Sequence, residues 1–191
     1  LLKSRKSAAL PGAKIYPPTL TNSDLANIKI ANEMGVTGVM QPFVRDHSDL
    51  ECVKEALREA GAEDIRLFAK IENMDGVRKL EKLLPAADEI VIARGDLGNA
   101  VHLWDLPGVQ RQISEKCRAA GKPFMVVTQM LASMERSPVP TRAEVNDIFH
   151  AVMDGAASIM VTGETAVGDY PVEVIRYMVN TVRSAEKEEN R

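Results

Sequence analysis

The sequence has few cysteines, few aromatic residues and no long apolar run. Two of its 191 residues are cysteines, Cys52 and Cys117, and aromatic residues make up 4%. The cysteines match no metal-binding or redox spacing, so we interpret them as free thiols and expect a reducing, cytoplasmic location. No apolar run approaches the roughly 18 residues that span a bilayer, and the first ten residues are too polar to predict a signal peptide. We therefore expect no membrane partner.

The charge is nearly balanced, which argues against a nucleic-acid partner. The formal net charge is −3, so the sequence has no excess of basic residues for contacting phosphates along a nucleic acid. Hydrophobic residues make up 45% and charged residues 27%. A chain of this length and composition can bury a substantial core, and we expect residues 1–191 to form a single domain.

Five short apolar runs, rich in β-branched residues, alternate with segments of helical periodicity. The runs are VTGVMQPFVR (36–45), IRLFAKIEN (65–73), EIVIARGDLG (89–98), PFMVVTQM (123–130) and SIMVTGET (158–165). The helical segments are 23–35, 47–61, 75–84 (stopped before Pro85), 105–121, 141–155 and 171–190. This alternation predicts an α/β fold with parallel strands in successive βα units, of the (β/α)8 TIM-barrel type.

The number of units is smaller than a closed barrel needs. A TIM barrel has eight strands and about 250 residues, whereas this pattern provides about five βα units. The missing units could lie in sequence outside this chain or in a partner, or the sheet could close in an unconventional way. The first residue is Leu1 rather than methionine, which favours missing sequence.

Each apolar run ends in charged or hydroxyl residues. They are Arg45, Lys70, Glu72, Arg94, Asp96, Thr128, Gln129, Thr162 and Glu164. Catalytic groups of such barrels lie at the C-terminal ends of several strands. Five polar strand ends in register therefore predict a functional site.

The second and third polar ends have residue types that suit a metal and an anion. Lys70 and Glu72 are two residues apart, so on a strand they face the same side. A carboxylate can bind a hard cation, while an ammonium group can neutralise a phosphoryl oxygen. Backbone N–H groups at Gly95 can hold an anion, and Asp96 could be a second ligand of the same cation. The alternatives are a surface ion pair for Lys70 and Glu72, and a βα turn in which Asp96 caps a helix.

The last two polar ends are weaker signals individually. Thr128 provides a hydroxyl, and Thr162 and Glu164 provide a hydroxyl and a carboxylate. Thr128 could instead be a helix N-cap, and the other two could be satisfied within a turn. Their equivalent positions on successive strands favour the site.

Together these residues belong to motifs that resemble the pyruvate kinase family. The motifs are FAKIENMDGV (68–77), VIARGDLG (91–98), MVVTQMLASM (125–134), PTRAEVNDIFHAVMDGA (140–156) and VTGETAVGDYPVE (161–173). The segment LPGA (10–13) is similar to the point where the family's chain returns to the barrel after its lid domain. The resemblance implies a (β/α)8 barrel that transfers a phosphoryl group between phosphoenolpyruvate and ADP. It also implies Mg²⁺ or Mn²⁺, usually K⁺, and a homo-oligomer, commonly a tetramer.

The resemblance also implies roles for the charged residues. Lys70 would stabilise the phosphoryl group in transfer. Glu72 and Asp96 would bind the divalent metal. Arg94 would brace the substrate pocket, and Glu164 would line it.

Further implied roles involve backbone amides and hydroxyls. The amides of Gly95 and Asp96, with the Thr128 hydroxyl, would hold the substrate carboxylate. Thr162 stands where the family commonly has serine, so a hydroxyl remains for a proton relay.

Other parts of the family pattern differ or are not found in this chain. The NFSH and TKGPE-type motifs of the first three strands, which provide monovalent-cation ligands and an arginine, are not found, nor are the lid and the C-terminal regulatory domain. NAVHLWDLP (99–107) differs from the usual acidic-proline continuation. We therefore expect the metal and pyruvate half of the site here, without the ADP half, and little or no turnover by this chain alone.

Three functions follow from this sequence. The first is a pyruvate kinase that forms pyruvate and ATP. The second is another enzyme of the phosphoenolpyruvate/pyruvate superfamily, a metal-dependent aldolase or decarboxylase that needs no nucleotide. The third is a non-catalytic binding module that retains the metal and pyruvate half-site.

Overall fold

The structure, a computed structural model, describes residues 17–189 as a five-stranded parallel sheet with helices between the strands. The strands are β1 (Gly38–Gln41), β2 (Arg66–Ile71), β3 (Glu89–Ala93), β4 (Phe124–Val127) and β5 (Ser158–Met160). They lie side by side in chain order, and each neighbouring pair is parallel. The predicted α/β class and succession of βα units are confirmed. The LPGA segment and the last residue of the predicted final helix lie outside the described residues.

Helices follow every strand. They are α1 (Asn22–Ile30), α2 (His47–Glu59), α3 (Met74–Arg78), α4 (Leu80–Leu83), α5 (Arg94–Ala100), α6 (Leu106–Ala119), α7 (Arg142–Met153), α8 (Gly163–Ala166) and α9 (Pro171–Glu189). Short 3₁₀ turns cover Leu84–Ala86 and Ala132–Glu135. The predicted run 89–98 was too long as a strand, because its second half forms α5 and follows β3 directly.

Capping residues fix where two of these helices begin. Thr141 and Glu144 form a capping box for α7: each side chain accepts a hydrogen bond from the other's backbone N–H. Thr21 and Asp24 form an equivalent box for α1. With Thr21 as its cap, α1 begins one residue before the predicted segment 23–35.

The predicted helix 75–84 is divided into shorter pieces. Asn73 caps α3 by accepting a hydrogen bond from the Gly76 N–H at 2.9 Å. Lys79 then separates α3 from α4 with a backbone angle ψ of 9°. Pro85 lies inside the following 3₁₀ turn, not after the helix as expected. Proline has no N–H to donate, so the regular α-helical hydrogen bonds end before it.

Both faces of the sheet are apolar, as the buried strands of a βα fold require. Alternate residues of β2, such as Leu67 and Ile71, face the helices and join a large core that includes Leu50 and Ile113. The opposite face of the sheet has a smaller cluster. Its members are Val91, Ala93 and Val127, with Phe68, Met125 and Met160 partly buried beside them.

Polar contacts connect three of the strands at their N-terminal ends on this second face. The buried Glu89 of β3 accepts a hydrogen bond from the hydroxyl of Ser158 in β5 at 2.6 Å. It also pairs with Arg66 of β2 at 3.1 Å. These contacts join β2, β3 and β5 on the second face of the sheet.

Within residues 17–189, no helix is long and apolar enough to cross a membrane. Both cysteines are free thiols, as predicted, with Cys52 exposed and Cys117 buried. Burial raises the pKa of the Cys117 thiol to about 12, so this group stays protonated and unreactive at neutral pH.

Candidate active site at the strand ends

Lys70 and Glu72 form a close ion pair at the C-terminal end of β2. The Lys70 Nζ lies 2.9 Å from Glu72 Oε1, so the two side chains share one side of the strand, as predicted. The other oxygen, Oε2, accepts a hydrogen bond from the Phe43 N–H at 2.7 Å. Glu72 is only 4% exposed, which excludes the alternative of an ordinary surface pair. A buried carboxylate is thus held between β1 and β2 by one cation and one backbone donor.

The segment that carries Phe43 is held in turn by a buried acid. Arg45 donates its backbone N–H and its guanidinium to the carboxylate of Asp49 in α2. The Thr19 hydroxyl donates to the same carboxylate at 2.6 Å. Burial raises the pKa of Asp49, but these hydrogen bonds outweigh it and lower the pKa to about 2. Asp49 is therefore ionised at neutral pH and fixes the chain just after β1.

Arg94, Gly95 and Asp96 form the first turn of α5, directly at the end of β3. Ala93 occupies the N-cap position without a side-chain hydrogen bond, so Asp96 is not the helix cap and the segment is not the βα turn considered as an alternative. The Asp96 side chain belongs to an exposed residue and makes no hydrogen bond or ion pair within residues 17–189. A carboxylate there lies near the positive end of the helix dipole and stays available to a ligand.

Thr128 follows β4 in an unusual backbone conformation. Its φ is +73°, and that of Gln129 is +54°. A β-branched residue seldom adopts this left-handed region, and such strain often accompanies a functional site. The Thr128 hydroxyl accepts a hydrogen bond from the Gly95 N–H at 2.8 Å and donates to the carbonyl of Val127. No helix begins at Thr128, so the N-cap alternative is wrong.

Arg94 joins the ends of β3 and β4 to α7. Its Nη2 and Nε donate to the carbonyl of Thr128 at 2.7 and 3.2 Å. Its Nη1 lies 2.6 Å from Asp147 Oδ2 in α7. Asp147 was not among the residues predicted for the site. One feature of the sequence could have indicated it: Asp147 is an acidic residue on the face of α7 that also carries the buried Ile148 and Ala151.

Glu164 lies inside the protein, where it connects the loops after β4 and β5. Its side chain belongs to a residue that is 2% exposed. One oxygen accepts from the Leu131 N–H at 3.2 Å, and the other accepts from the Thr162 N–H at 2.7 Å. Burial raises the pKa of this carboxyl, but the backbone hydrogen bonds outweigh it and place the pKa below its ordinary value. Both oxygens are engaged in holding the two loops.

The Thr162 hydroxyl belongs to an exposed residue and has a weaker contact. It donates to Glu164 at 3.4 Å, a long distance for a hydrogen bond between oxygens. Thr162 also begins α8 without capping it through its side chain. The hydroxyl is thus accessible beside a buried carboxylate.

The segment 128–136 is held at a third point by Glu144. This carboxylate accepts from the Ser133 N–H at 2.7 Å and from the Ser133 hydroxyl at 2.5 Å. Burial raises the pKa of Glu144, but these bonds and those from Thr141 lower it overall. Three acids from α7 and the β5 loop therefore fix the segment that begins with the strained Thr128.

The acidic residues at the strand ends fit a divalent cation only together with other ligands. Within residues 17–189, no group of three or more histidine, cysteine, aspartate or glutamate residues is placed to hold a metal. Magnesium is commonly bound by one or two carboxylates plus water and substrate oxygens. Glu72 and Asp96, which follow the neighbouring strands β2 and β3, are donors of this kind. That they bind one common cation stays a prediction.

The fold and these strand ends define a βα barrel-type protein with charged and hydroxyl side chains at the C-terminal ends of its strands. Residues 1–175 match the family described as pyruvate kinase, barrel domain. The chain is 41% identical to a pyruvate kinase of Bacillus licheniformis over 186 residues, which cover 97% of this chain and 32% of that protein. It is 42% identical to one of Dictyostelium discoideum over 185 residues, covering 97% and 36%. It is 38% identical to one of Clostridium acetobutylicum over 190 residues, covering 100% and 40%.

The chain belongs to the pyruvate kinase family. It spans between about a third and two fifths of the length of these curated relatives. The barrel class predicted from the five βα units is thereby confirmed.

Proposed function

We propose that the complete protein containing this chain transfers a phosphoryl group from phosphoenolpyruvate to ADP, giving pyruvate and ATP. The observation that carries the proposal is the Lys70–Glu72 pair, 2.9 Å apart at the end of β2 in a pyruvate kinase barrel domain. Phosphoryl transfer depends mainly on positioning and on stabilising developing negative charge. An ammonium group beside a buried carboxylate suits both requirements.

Lys70 would contact the phosphoryl group. Its side chain is 25% exposed, so the ammonium can reach an anion at the strand ends while its aliphatic part stays packed. Glu72 and Asp96 would hold a Mg²⁺ or Mn²⁺ ion. When bound, that ion would supply further positive charge for the phosphoryl oxygens and for the enolate that receives a proton.

The end of β4 and the start of α5 would hold the substrate carboxylate. The Gly95 and Asp96 N–H groups lie in the first helical turn, where N–H groups have no partner within the helix. The Gly95 N–H donates to the Thr128 hydroxyl, so these two groups lie together, and a substrate oxygen beside them would replace this hydrogen bond. Arg94 would act by bracing Thr128, since its guanidinium binds the Thr128 carbonyl.

Thr162 and Glu164 would complete the pocket after β5. The exposed Thr162 hydroxyl would relay a proton to the enolate carbon. Glu164 would support this hydroxyl and hold the pocket wall, because its oxygens already bind the backbone of both neighbouring loops. The general acid in such a step must lie within hydrogen-bond reach of its target, directly or through one water.

We expect this chain alone to turn over little or no substrate. Apolar side chains are exposed beside both edge strands, including Met34 and Met40 near β1 and Val167 and Val172 after β5. This supports a need for further barrel units at those edges. The ADP contacts and the ligands of any K⁺ would come from the remainder of the protein. The complete protein would form a homo-oligomer, a tetramer by resemblance to the family. The proposed location is the cytoplasm.

The complete protein should form pyruvate only when phosphoenolpyruvate, ADP and Mg²⁺ are all present. Pyruvate can be followed by its reduction with added lactate dehydrogenase and NADH. Turnover of a 2-oxo acid without ADP would contradict the proposal and select an aldolase or decarboxylase. Binding of Mn²⁺ and oxalate, a planar mimic of the enolate, without any turnover would contradict it in favour of a binding module.

A further inference from the structure

The Arg94 side chain binds the carbonyl of Thr128, the residue with a left-handed backbone conformation at the end of β4. Arg94 places two donors, Nη2 and Nε, on this oxygen at 2.7 and 3.2 Å. The carbonyl and the hydroxyl of Thr128 belong to one strained residue with φ of +73°. Binding of the carbonyl helps to fix the Thr128 backbone from which the hydroxyl extends, and this hydroxyl accepts from the Gly95 N–H and donates to the Val127 carbonyl.

The guanidinium of Arg94 depends on Asp147 for its own orientation. Its side chain is 11% exposed, and its Nη1 lies 2.6 Å from the Asp147 carboxylate. The remaining contacts of this group go to neutral atoms, the Thr128 carbonyl and the sulfur of Met130. Asp147 is thus the only charged partner of Arg94 within residues 17–189, and charge-assisted, forked contacts of arginine are the most directional ones.

Asp147 differs from the other acids that hold this segment. Glu144 and Glu164 bind backbone N–H groups further along the loop, at Ser133 and Leu131. Asp147 alone of the three acts through a side chain that starts at the end of β3 and reaches the end of β4. It therefore couples the two strand ends that carry the Gly95 N–H and the Thr128 hydroxyl.

We propose that Asp147 is a positioning residue for the anion-binding pair made by the Thr128 hydroxyl and the Gly95 N–H, and that it acts through Arg94. This inference rests on the proposed function, which assigns the substrate carboxylate to that pair. Without Asp147, the Arg94 guanidinium turns away from the Thr128 carbonyl in part of the molecules. The hydroxyl then loses its fixed direction, and binding of a carboxylate weakens.

The test is Asp147→Asn in the complete protein, with Asp147→Glu as the conservative variant. Asp169→Asn is the matched control, because Asp169 pairs with Arg136 at 2.9 Å in an exposed ion pair and does not contact the strand ends. We expect Asp147→Asn to weaken oxalate binding in the presence of Mn²⁺ by about tenfold, the loss typical of one charge-assisted hydrogen bond. The KM for phosphoenolpyruvate should rise in parallel, while the KM for ADP stays unchanged.

Asp147→Glu should restore part of the oxalate affinity, and Asp169→Asn should match the wild type. Arg94→Lys supplies a second, independent measurement, because lysine keeps the positive charge but lacks the several N–H donors of the guanidinium. If Asp147 acts only through Arg94, then Asp147→Asn causes little further loss of oxalate affinity in the Arg94→Lys background. The proposal would be overturned if Asp147→Asn reduced oxalate affinity equally in the wild-type and Arg94→Lys backgrounds. It would also be overturned if Asp147→Asn alone bound oxalate as tightly as the wild type.

Failure of this inference is distinguishable from failure of the proposed function. Absence of pyruvate formation by the wild-type protein would reject the phosphotransferase, and the oxalate titrations would still decide whether Asp147 positions the anion site. A wild-type protein that fails to bind oxalate would reject both. If Asp147→Asn unfolds, Asp147→Glu and Arg94→Lys still allow the comparison. Equal oxalate affinity in those two variants and the wild type would overturn the positioning role.

Discussion

The ammonium of Lys70 lies 2.9 Å from the carboxylate of Glu72, and the backbone N–H of Phe43 binds the second oxygen of that carboxylate. Lys70, which would bind the phosphoryl oxygens, is therefore paired directly with Glu72, which would bind the metal. The Lys70 ammonium and the Phe43 N–H thus fix the direction of the buried Glu72 carboxylate before any ligand binds. Predictions about the individual residues follow from this arrangement.

Lys70→Met should separate phosphoryl transfer from binding. The variant removes the ammonium but leaves Glu72 bound to the Phe43 N–H, so the backbone at the strand ends keeps its shape. We expect pyruvate formation to fall by about 10²- to 10³-fold, as when one charge-stabilising donor of a transition state is removed. Binding of oxalate with Mn²⁺ should change much less. An equal loss of both would contradict the assignment of Lys70 to the phosphoryl group.

Thr128→Ser and Thr128→Val form a matched pair for the hydroxyl at the end of β4. Serine keeps the hydroxyl that accepts from the Gly95 N–H and removes the β-branch that makes a φ of +73° costly. Valine keeps the branch and loses the hydroxyl. We expect Thr128→Ser to retain oxalate affinity and Thr128→Val to lose about tenfold. Similar affinities in both variants would show that the hydroxyl does not contact the carboxylate.

Asp49 should give the protein a stability component that is lost at low pH. Its hydrogen bonds with Arg45 and Thr19 lower its pKa to about 2, below the ordinary value of 3.8. Because the pKa is lower in the folded state, this component is fully present above about pH 4 and is lost as the pH falls through about 2. The shift corresponds to about 2 kcal/mol.

Urea denaturation at several pH values measures this component. The difference in unfolding free energy between the wild type and Asp49→Asn should narrow by about 2 kcal/mol between pH 4 and pH 2. Asp64→Asn, at an exposed residue without hydrogen bonds within residues 17–189, serves as the control and should show no such narrowing. A constant difference for Asp49→Asn would contradict the lowered pKa.

Glu164→Ala should destabilise the protein chiefly through its loops. The change leaves the N–H groups of Leu131 and Thr162 without their carboxylate partner. Leu131 is fully buried, and an unsatisfied buried donor costs about 1–3 kcal/mol. Hydrogen exchange of these two amides should accelerate strongly, whereas Glu63→Ala, at an exposed residue, should leave them protected. Unchanged exchange in Glu164→Ala would show that the carboxylate does not connect the two loops.

Local sequence patterns were sufficient to predict the parallel sheet and most of the polar residues at the strand ends. Apolar runs of strand length with polar ends placed Lys70 and Glu72 together, because the side-chain period of a strand is a short-range property. The same period could not show that α5 starts directly after Ala93, since ARGDLG contains two glycines and its one capping residue type, Asp96, lies inside the helix. Nor could the side-chain period show that the predicted helix 75–84 is divided into shorter helices and followed by a 3₁₀ turn that contains Pro85.

Local sequence patterns could not predict the contacts that hold Thr128. Arg94 binds a carbonyl 34 residues away and a carboxylate 53 residues away, and these contacts depend on how β3, β4 and α7 pack. Asp147 was missed for this reason, although it lies in a motif that resembles the family. The left-handed φ of Thr128 was equally hidden, because threonine is among the residues least expected there.

A crystal structure of the complete protein with Mn²⁺ and oxalate, recorded with anomalous diffraction, would show whether Glu72 and Asp96 bind one common cation. We expect one manganese peak about 2.0–2.4 Å from a carboxylate oxygen of Glu72 and from one of Asp96, with oxalate completing the coordination. A manganese ion bound elsewhere, or to only one of these two carboxylates, would contradict it.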